Sequence, residues 1–126
     1  MPSLNRATII GHLGADAEVR FTPSGNKVVN FRVATNEGKN KDGEERPPEW
    51  HSIVCWKYAA DRAEGFKKGD CVYVEGKLQT RSWEDDQGAK RFSTEIVGWQ
   101  VAKIEREPKK DRKPDAPQPG EDDIPF

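Results

Sequence analysis

The sequence predicts an all-β fold: a five-stranded Greek-key barrel with a short helix between strands three and four, followed by a disordered acidic C-terminal tail. Three observations carry that expectation. Over most of residues 1–106 the apolar residues recur with the two-residue period of strands, in runs rich in β-branched and aromatic side chains. One stretch, residues 58–66, contains alanines and no β-branched residue, which suits a short helix. Beyond Ile104 the chain turns to proline and charge and cannot build a core.

The elements follow in order. Residues 4–13 carry Ala7, Ile9, Ile10 and Leu13 and contain Gly11, whose missing side chain suits a bulge or sharp bend that helps close a barrel. Residues 17–22 continue the strand pattern to a turn at Pro23, Ser24, Gly25 and Asn26. Residues 27–35 then alternate Val29, Phe31 and Val33, as in a hairpin. Residues 36–48 are polar, with Gly38, Gly43, Pro47 and Pro48, and read as a long mobile loop between strands two and three. The third strand is 50–56, and the helix after it stops at Lys67, Lys68 and Gly69. The fourth strand, 71–83, alternates Val72 and Val74 against Tyr73 and Glu75; a polar tip over 84–88 leads to the fifth, 91–104. Three strands, a helix and two strands joined by a long hairpin is the order of an OB-fold. That order by itself names no ligand.

At 126 residues the chain supports one core. We divide it into a barrel domain (1–106), a linker (107–120) with Pro108, Pro114, Pro117 and Pro119, and an acidic tip (121–126). The net charge of −1 hides its distribution: 17 Lys and Arg against 16 Asp and Glu in the barrel, 4 against 6 beyond it. Neither part is strongly basic, so charge alone argues only weakly for a nucleic-acid partner.

Cys55 and Cys71 stand singly in apolar runs without the spacing of a metal site, and read as reduced small hydrophobes. His12 and His51 have no Ser, Cys or Asp in a suitable order for nucleophilic catalysis. The carboxylates show no arrangement for a metal or a general acid. We expect no catalytic site, no metal and no cofactor. No apolar run approaches the roughly 18 residues of a membrane span, and no signal-peptide pattern opens the chain, so a cytoplasmic protein is expected.

The chemistry rests on aromatics and cations. Of the four tryptophans, Trp50, Trp56 and Trp83 sit beside charged residues. Trp50 and Trp56 are an even number of residues apart and share one side of a strand. Trp83 falls at the hairpin of strands four and five. Every nucleobase has a π face, so such indoles hold unpaired bases of any sequence, at about 1 to 3 kcal/mol per base. Arg6, Arg20, Arg32, Lys57, Lys68 and Arg81 lie on or beside strands as candidate phosphate contacts, with Lys39 and Lys41 in the long loop. Trp99, among Ile96, Val97 and Val101, is assigned to packing. Alternatives remain at this point: another OB-fold module, such as an RNA-binding one, an OB-fold nuclease, or an adaptor whose tryptophans anchor a protein interface.

Residues 5–14 (N-R-A-T-I-I-G-H-L-G), 17–21 (A-E-V-R-F), 49–51 (E-W-H), 72–83 (V-Y-V-E-G-K-L-Q-T-R-S-W) and 122–126 (D-D-I-P-F) occur in an order that resembles the bacterial single-stranded DNA-binding proteins along nearly the whole chain. The resemblance implies a homotetramer of OB-folds around which single-stranded DNA wraps, acting in replication, recombination and repair in the cytoplasm, associated with the nucleoid. It implies stacking aromatics at Trp50, Trp56 and Trp83, and His51 at the subunit interface, on the face opposite Trp50. It further implies that Asp122, Asp123, Ile124, Pro125 and Phe126 capture replication and repair proteins, the aromatic entering an apolar pocket and the acids meeting a basic rim. The sequence departs from the family pattern near Gly38 and Lys39, where members carry a further stacking tryptophan, and at Trp56, where phenylalanine is frequent. The 14-residue linker spans at most about 50 Å and roughly 20 Å on average, keeping the tip near its own barrel.

Overall fold

The computed structural model describes residues 1–105; the linker (107–120) and the tip with Asp122–Phe126 lie outside the described residues. In chain order the elements are β1 (Ala7–Leu13), β2 (Glu18–Phe21), β3 (Lys27–Thr35), β4 (Glu49–Trp56), α1 (Lys57–Ala63), β5 (Cys71–Glu84) and β6 (Lys90–Lys103). The strands run in the order β1-β5-β6-β4-β3-β2, and a further pairing of β1 with β3 closes the ring.

Closure occurs where β1 changes partner. From Ala7 to His12 it pairs with β5, and at His12 and Leu13 it pairs with β3, opposite Ala34 and Val33. Gly11 stands at this handover. A Cβ there would overlap the Ala34 carbonyl and the Val33 side chain, so glycine is needed for close backbone approach. Of the bulge or sharp bend expected at Gly11, the structure has the change of direction that closes the barrel, while a bulge lies in the β5–β6 ladder, where the register shifts between Glu75 and Gly76 and skips Trp99.

The first predicted run resolves into two strands, making six where five were expected. After Leu13 the backbone leaves the ladder: the Gly14 amide donates to Arg32 O (3.3 Å) and the Ala17 amide to Phe66 O (3.0 Å). β1 and β2 then lie against successive parts of β3, so the ring keeps five sides. β1 begins at Ala7, later than residue 4, because the Asn5 side chain substitutes for a strand residue. Its Nδ2 donates to the Leu78 carbonyl and its Oδ1 accepts from the Leu78 amide, both at 2.9 Å.

Between β4 and α1 the chain turns through Lys57, whose φ of 54° is left-handed, a conformation that costs an L-residue about 1 kcal/mol. The helix ends at Ala63, short of the expected Phe66, with Gly65 just beyond. Ala59, Ala60 and Ala63 are buried, and their small size lets α1 plug one end of the barrel. Lys27 of β3 pins the helix from outside, donating to Asp61 (2.9 Å) and Glu64 (2.7 Å). The bond to Glu64, followed by that to Asp61, raises the Lys27 ammonium above its ordinary range.

The interior is apolar: Val29, Val33, Ile53, Val72, Val74 and Val101 are almost fully buried, and Phe31 meets Phe66 edge-on at 5.4 Å. Among the described residues no polar or charged residue is buried. Segment 36–48 is a loop between β3 and β4, as expected, with hydrogen bonds among its own groups. Asn40 Oδ1 accepts from the Asp42 and Glu44 amides at 2.9 Å, and Lys39 bridges Glu45.

Burial pushes the Cys55 thiol up to about 12, while Cys71 is only half-buried. In the unfolded chain the Cys55 thiol ionises near its ordinary value, so as pH rises from about 9 toward 12 the unfolded state loses a proton that the folded state keeps, and stability falls. Alkylation of the native protein at pH 8 is therefore expected to modify Cys71 and spare Cys55, and Cys55→Ala to flatten the alkaline loss of stability in urea titrations.

Candidate nucleic-acid interface

Barrel closure settles which residues face outward. In the β3–β4 ladder, Val29 and Phe31 pair with Cys55 and Ile53 on the core side, while Arg32 pairs with Ser52 and Ala34 with Trp50 on the other. Trp50 and Trp56 thus share the outer side of β4, as their even spacing predicts, at 42% and 41% exposure. His51 has the opposite orientation, half-buried, with Thr35 Oγ1 3.0 Å from its Nε2.

An open groove of about 510 Å³ runs over this face, bounded by Gly14, Arg20, Arg32, Trp50, Arg81 and Glu95 among others. A second hollow of about 300 Å³ continues it past Val54 to Trp56, sharing Arg20, Asn30, Arg81 and Glu95 with the first. The two form one track with an indole at each end. The β5–β6 hairpin supplies one wall, through Arg81, Ser93 and Glu95.

Local packing orients the indoles. The Trp50 ring lies over Gly14, where a Cβ would come within 2.6 Å of its outer carbons. The Arg32 guanidinium stacks 5.1 Å from the Trp50 centroid. Arg81 sits 5.6 Å from the Trp83 centroid, near the hairpin tip. Asp85 closes that tip by accepting from the Gln87 and Ala89 amides and from Arg91 Nε, each at 2.9 Å. The Arg91 bond above all holds the Asp85 carboxyl below its ordinary range.

Electrostatically the groove is mixed. Arg20 pairs with Glu18 at 3.0 Å and Arg81 with Glu95 at 3.2 Å, so two of its arginines meet carboxylates and the third, Arg32, stacks on Trp50. Such a surface attracts anions weakly and offers π faces strongly.

Of the candidate phosphate contacts, the fold brings Arg20, Arg32 and Arg81 together in the groove. Arg6, Lys57 and Lys68 are not among its lining residues: Arg6 holds Glu75 at 3.0 Å, Lys57 forms the turn into α1, and the Lys68 amide donates to Asp16. Trp83 is 44% exposed on the hairpin, two residues beyond Arg81. Sequence reasoning missed Phe21, which is 58% exposed and lines the second hollow. Its signal was an aromatic on a strand too short to be buried on both faces. Trp99, assigned to packing, is 50% exposed; its apolar neighbours misled because Ile96 and Gly98 take the core side, which leaves Trp99 outside. No group of three or more His, Cys, Asp or Glu that could hold a metal occurs among the described residues, nor is any helix among them long and apolar enough to cross a membrane.

A β-barrel closed as a five-sided ring, plugged by one helix and carrying an aromatic, arginine-bearing groove outside, is the architecture of an OB-fold binding protein. The chain belongs to the single-strand binding protein family, which it matches over residues 4–104. A curated relative, single-stranded DNA-binding protein 1 of Chlorobaculum tepidum, is 52% identical over 98 residues. That match covers 75% of this chain and 60% of the relative, so the chain spans about three-fifths of the relative's length.

The contact between Gly14 and Trp50 is testable. Gly14→Ala is expected to displace the Trp50 ring, changing near-ultraviolet circular dichroism and indole emission, with a thermal midpoint close to that of the parent because the core is untouched. Unchanged aromatic spectra would show that Gly14 does not seat the ring.

Proposed function

We propose that this chain binds single-stranded DNA without regard to sequence, stacking bases on Trp50, Trp56 and Trp83 while Arg20, Arg32 and Arg81 meet phosphates. The single observation that carries the reading is the continuous outer groove with an exposed indole at each end. A stacked base loses water from its faces and gains an indole partner, at about 1 to 3 kcal/mol per base, and no base edge needs to be read. With its arginines already engaged by carboxylates or by an indole, the groove gains more from stacking than from counterion release. Family membership and the relative's name support DNA as the ligand.

The reading extends to the whole protein. The working unit is a homotetramer with His51 at a subunit interface, acting in replication, recombination and repair in the cytoplasm at the nucleoid. Asp122, Asp123, Ile124, Pro125 and Phe126 recruit replication and repair proteins. Arg6, Lys57 and Lys68 belong to this proposal as contacts to DNA that wraps beyond the groove.

Titration with oligo(dT) is expected to quench tryptophan emission, and Trp50→Ala or Trp56→Ala each to weaken binding by about 5- to 150-fold. Neutralising three phosphates per chain gives a slope of about −2 in log affinity against log salt. Binding that ignores both substitutions would remove the reading. For the tip, deletion of Phe126 is expected to abolish capture of partner proteins and to leave oligo(dT) affinity intact; loss of both together, or of neither, contradicts the assignment.

A further inference from the structure

The groove as bounded above ends at Trp56, but the strand register carries the same face one step further. β4 and β6 run parallel, with Ile53 beside Ile96, Val54 beside Val97 and Cys55 beside Gly98. Neighbours in this register share a side: Ile53, Ile96, Cys55 and Gly98 are all buried. Extended toward the start of β6, the register sets Ser93 beside Trp50 and Glu95 beside Ser52, and all four line the groove. At the other end the pairing stops at Cys55 and Gly98, each followed by a tryptophan, Trp56 and Trp99.

Alternation from the buried Ile96 and Gly98 puts Trp99 outside, and a bulge follows. Gly98 and Val101 are both buried, although regular alternation would put them on opposite sides. The extra residue in the ladder is Trp99, and it leaves Trp99 and Gln100 both outside. Trp56 and Trp99 are 41% and 50% exposed, and each lies one residue past the last paired positions, Cys55 and Gly98, at the end where the groove stops. Lys77, exposed and paired with Val97, supplies a cation on the far side. The nearby Glu75 carboxylate is already engaged by Arg6 and the Tyr73 hydroxyl.

We propose that Trp99 is a fourth base-stacking indole, which with Trp56 forms a paired platform that carries single-stranded DNA out of the groove and across β6 toward Lys77. The inference rests on the groove binding single-stranded DNA. Continuity with that groove argues for a base as the occupant. Half an indole left in water offers the flat apolar surface that an unpaired base covers.

The full chain carries four tryptophans, so replacing Trp50, Trp56 and Trp83 together by phenylalanine leaves Trp99 as sole reporter. Oligo(dT) is expected to quench that emission. Emission that ignores oligo(dT) but shifts on protein dilution would make Trp99 a contact between copies of the chain and overturn the proposal. A second arm does not depend on the triple variant. Trp99→Ala in the otherwise native chain is expected to weaken binding of a long oligo(dT), about 16 nucleotides, by at least about 5-fold, and to spare one of about 4 nucleotides. Trp99→Phe is expected to restore most of the loss. If Trp50→Ala and Trp56→Ala weaken binding while Trp99→Ala does not, this inference alone fails. If none of the three weakens binding, the groove reading fails with it.

Discussion

One strand hydrogen-bonded along both edges holds the rest of this structure in place. β1 follows β5 as far as His12 and then seats His12 and Leu13 against β3, turning a twisted sheet into a ring. A ring has an inside and an outside, and that distinction assigns every alternate side chain. Only glycine at position 11 lets the two backbones come close enough for the ring to shut. Closure also commits the small residues of α1 to one end of the barrel, where Ala59, Ala60 and Ala63 complete an interior with no buried charge among the described residues.

The outer face is defined by what the interior could not take. Valines and isoleucines fill the inside of β3, β4 and β6, and the indoles on the outer side of the barrel are left in water at two-fifths to one-half exposure. Large apolar rings in that position are costly unless something covers them, and here a groove runs between Trp50 and Trp56. The arginines do not form a bare cationic strip. Glu18 and Glu95 neutralise Arg20 and Arg81 in place, and Arg32 is held flat against Trp50. These pairings preorganise the guanidinium groups and moderate long-range attraction, so that aromatic contact becomes the stronger source of affinity.

Much of this was legible in the residues because period-two alternation is a local property. The order of strands, the helix before β5, the shared side of Trp50 and Trp56 and the opposite orientation of His51 all follow from counting residues along a strand. Where the expectation and the structure differ, a distant contact intervenes. Asn5 mimics a strand residue against Leu78, and Ala17 is drawn to Phe66. Trp99 looks like a core residue among Ile96, Val97 and Val101 because an unbroken strand would alternate there, and the shift opposite Glu75 and Gly76 leaves no mark in the residues around it.

Sequence alone determined the all-β class, the helix, the change of composition after residue 106 and the aromatic character of the surface, since these depend on residue content and on neighbours along the chain. Tertiary structure alone decided which arginines share the groove, that Phe21 joins it, and that Trp99 stands outside the core. Arg20, Arg32 and Arg81 come from three different strands, and Trp56 and Trp99 follow the end of a parallel pairing between segments more than 40 residues apart. Distances of that kind are set when the ring closes, by hydrogen bonds between backbones whose side chains carry no record of their partner.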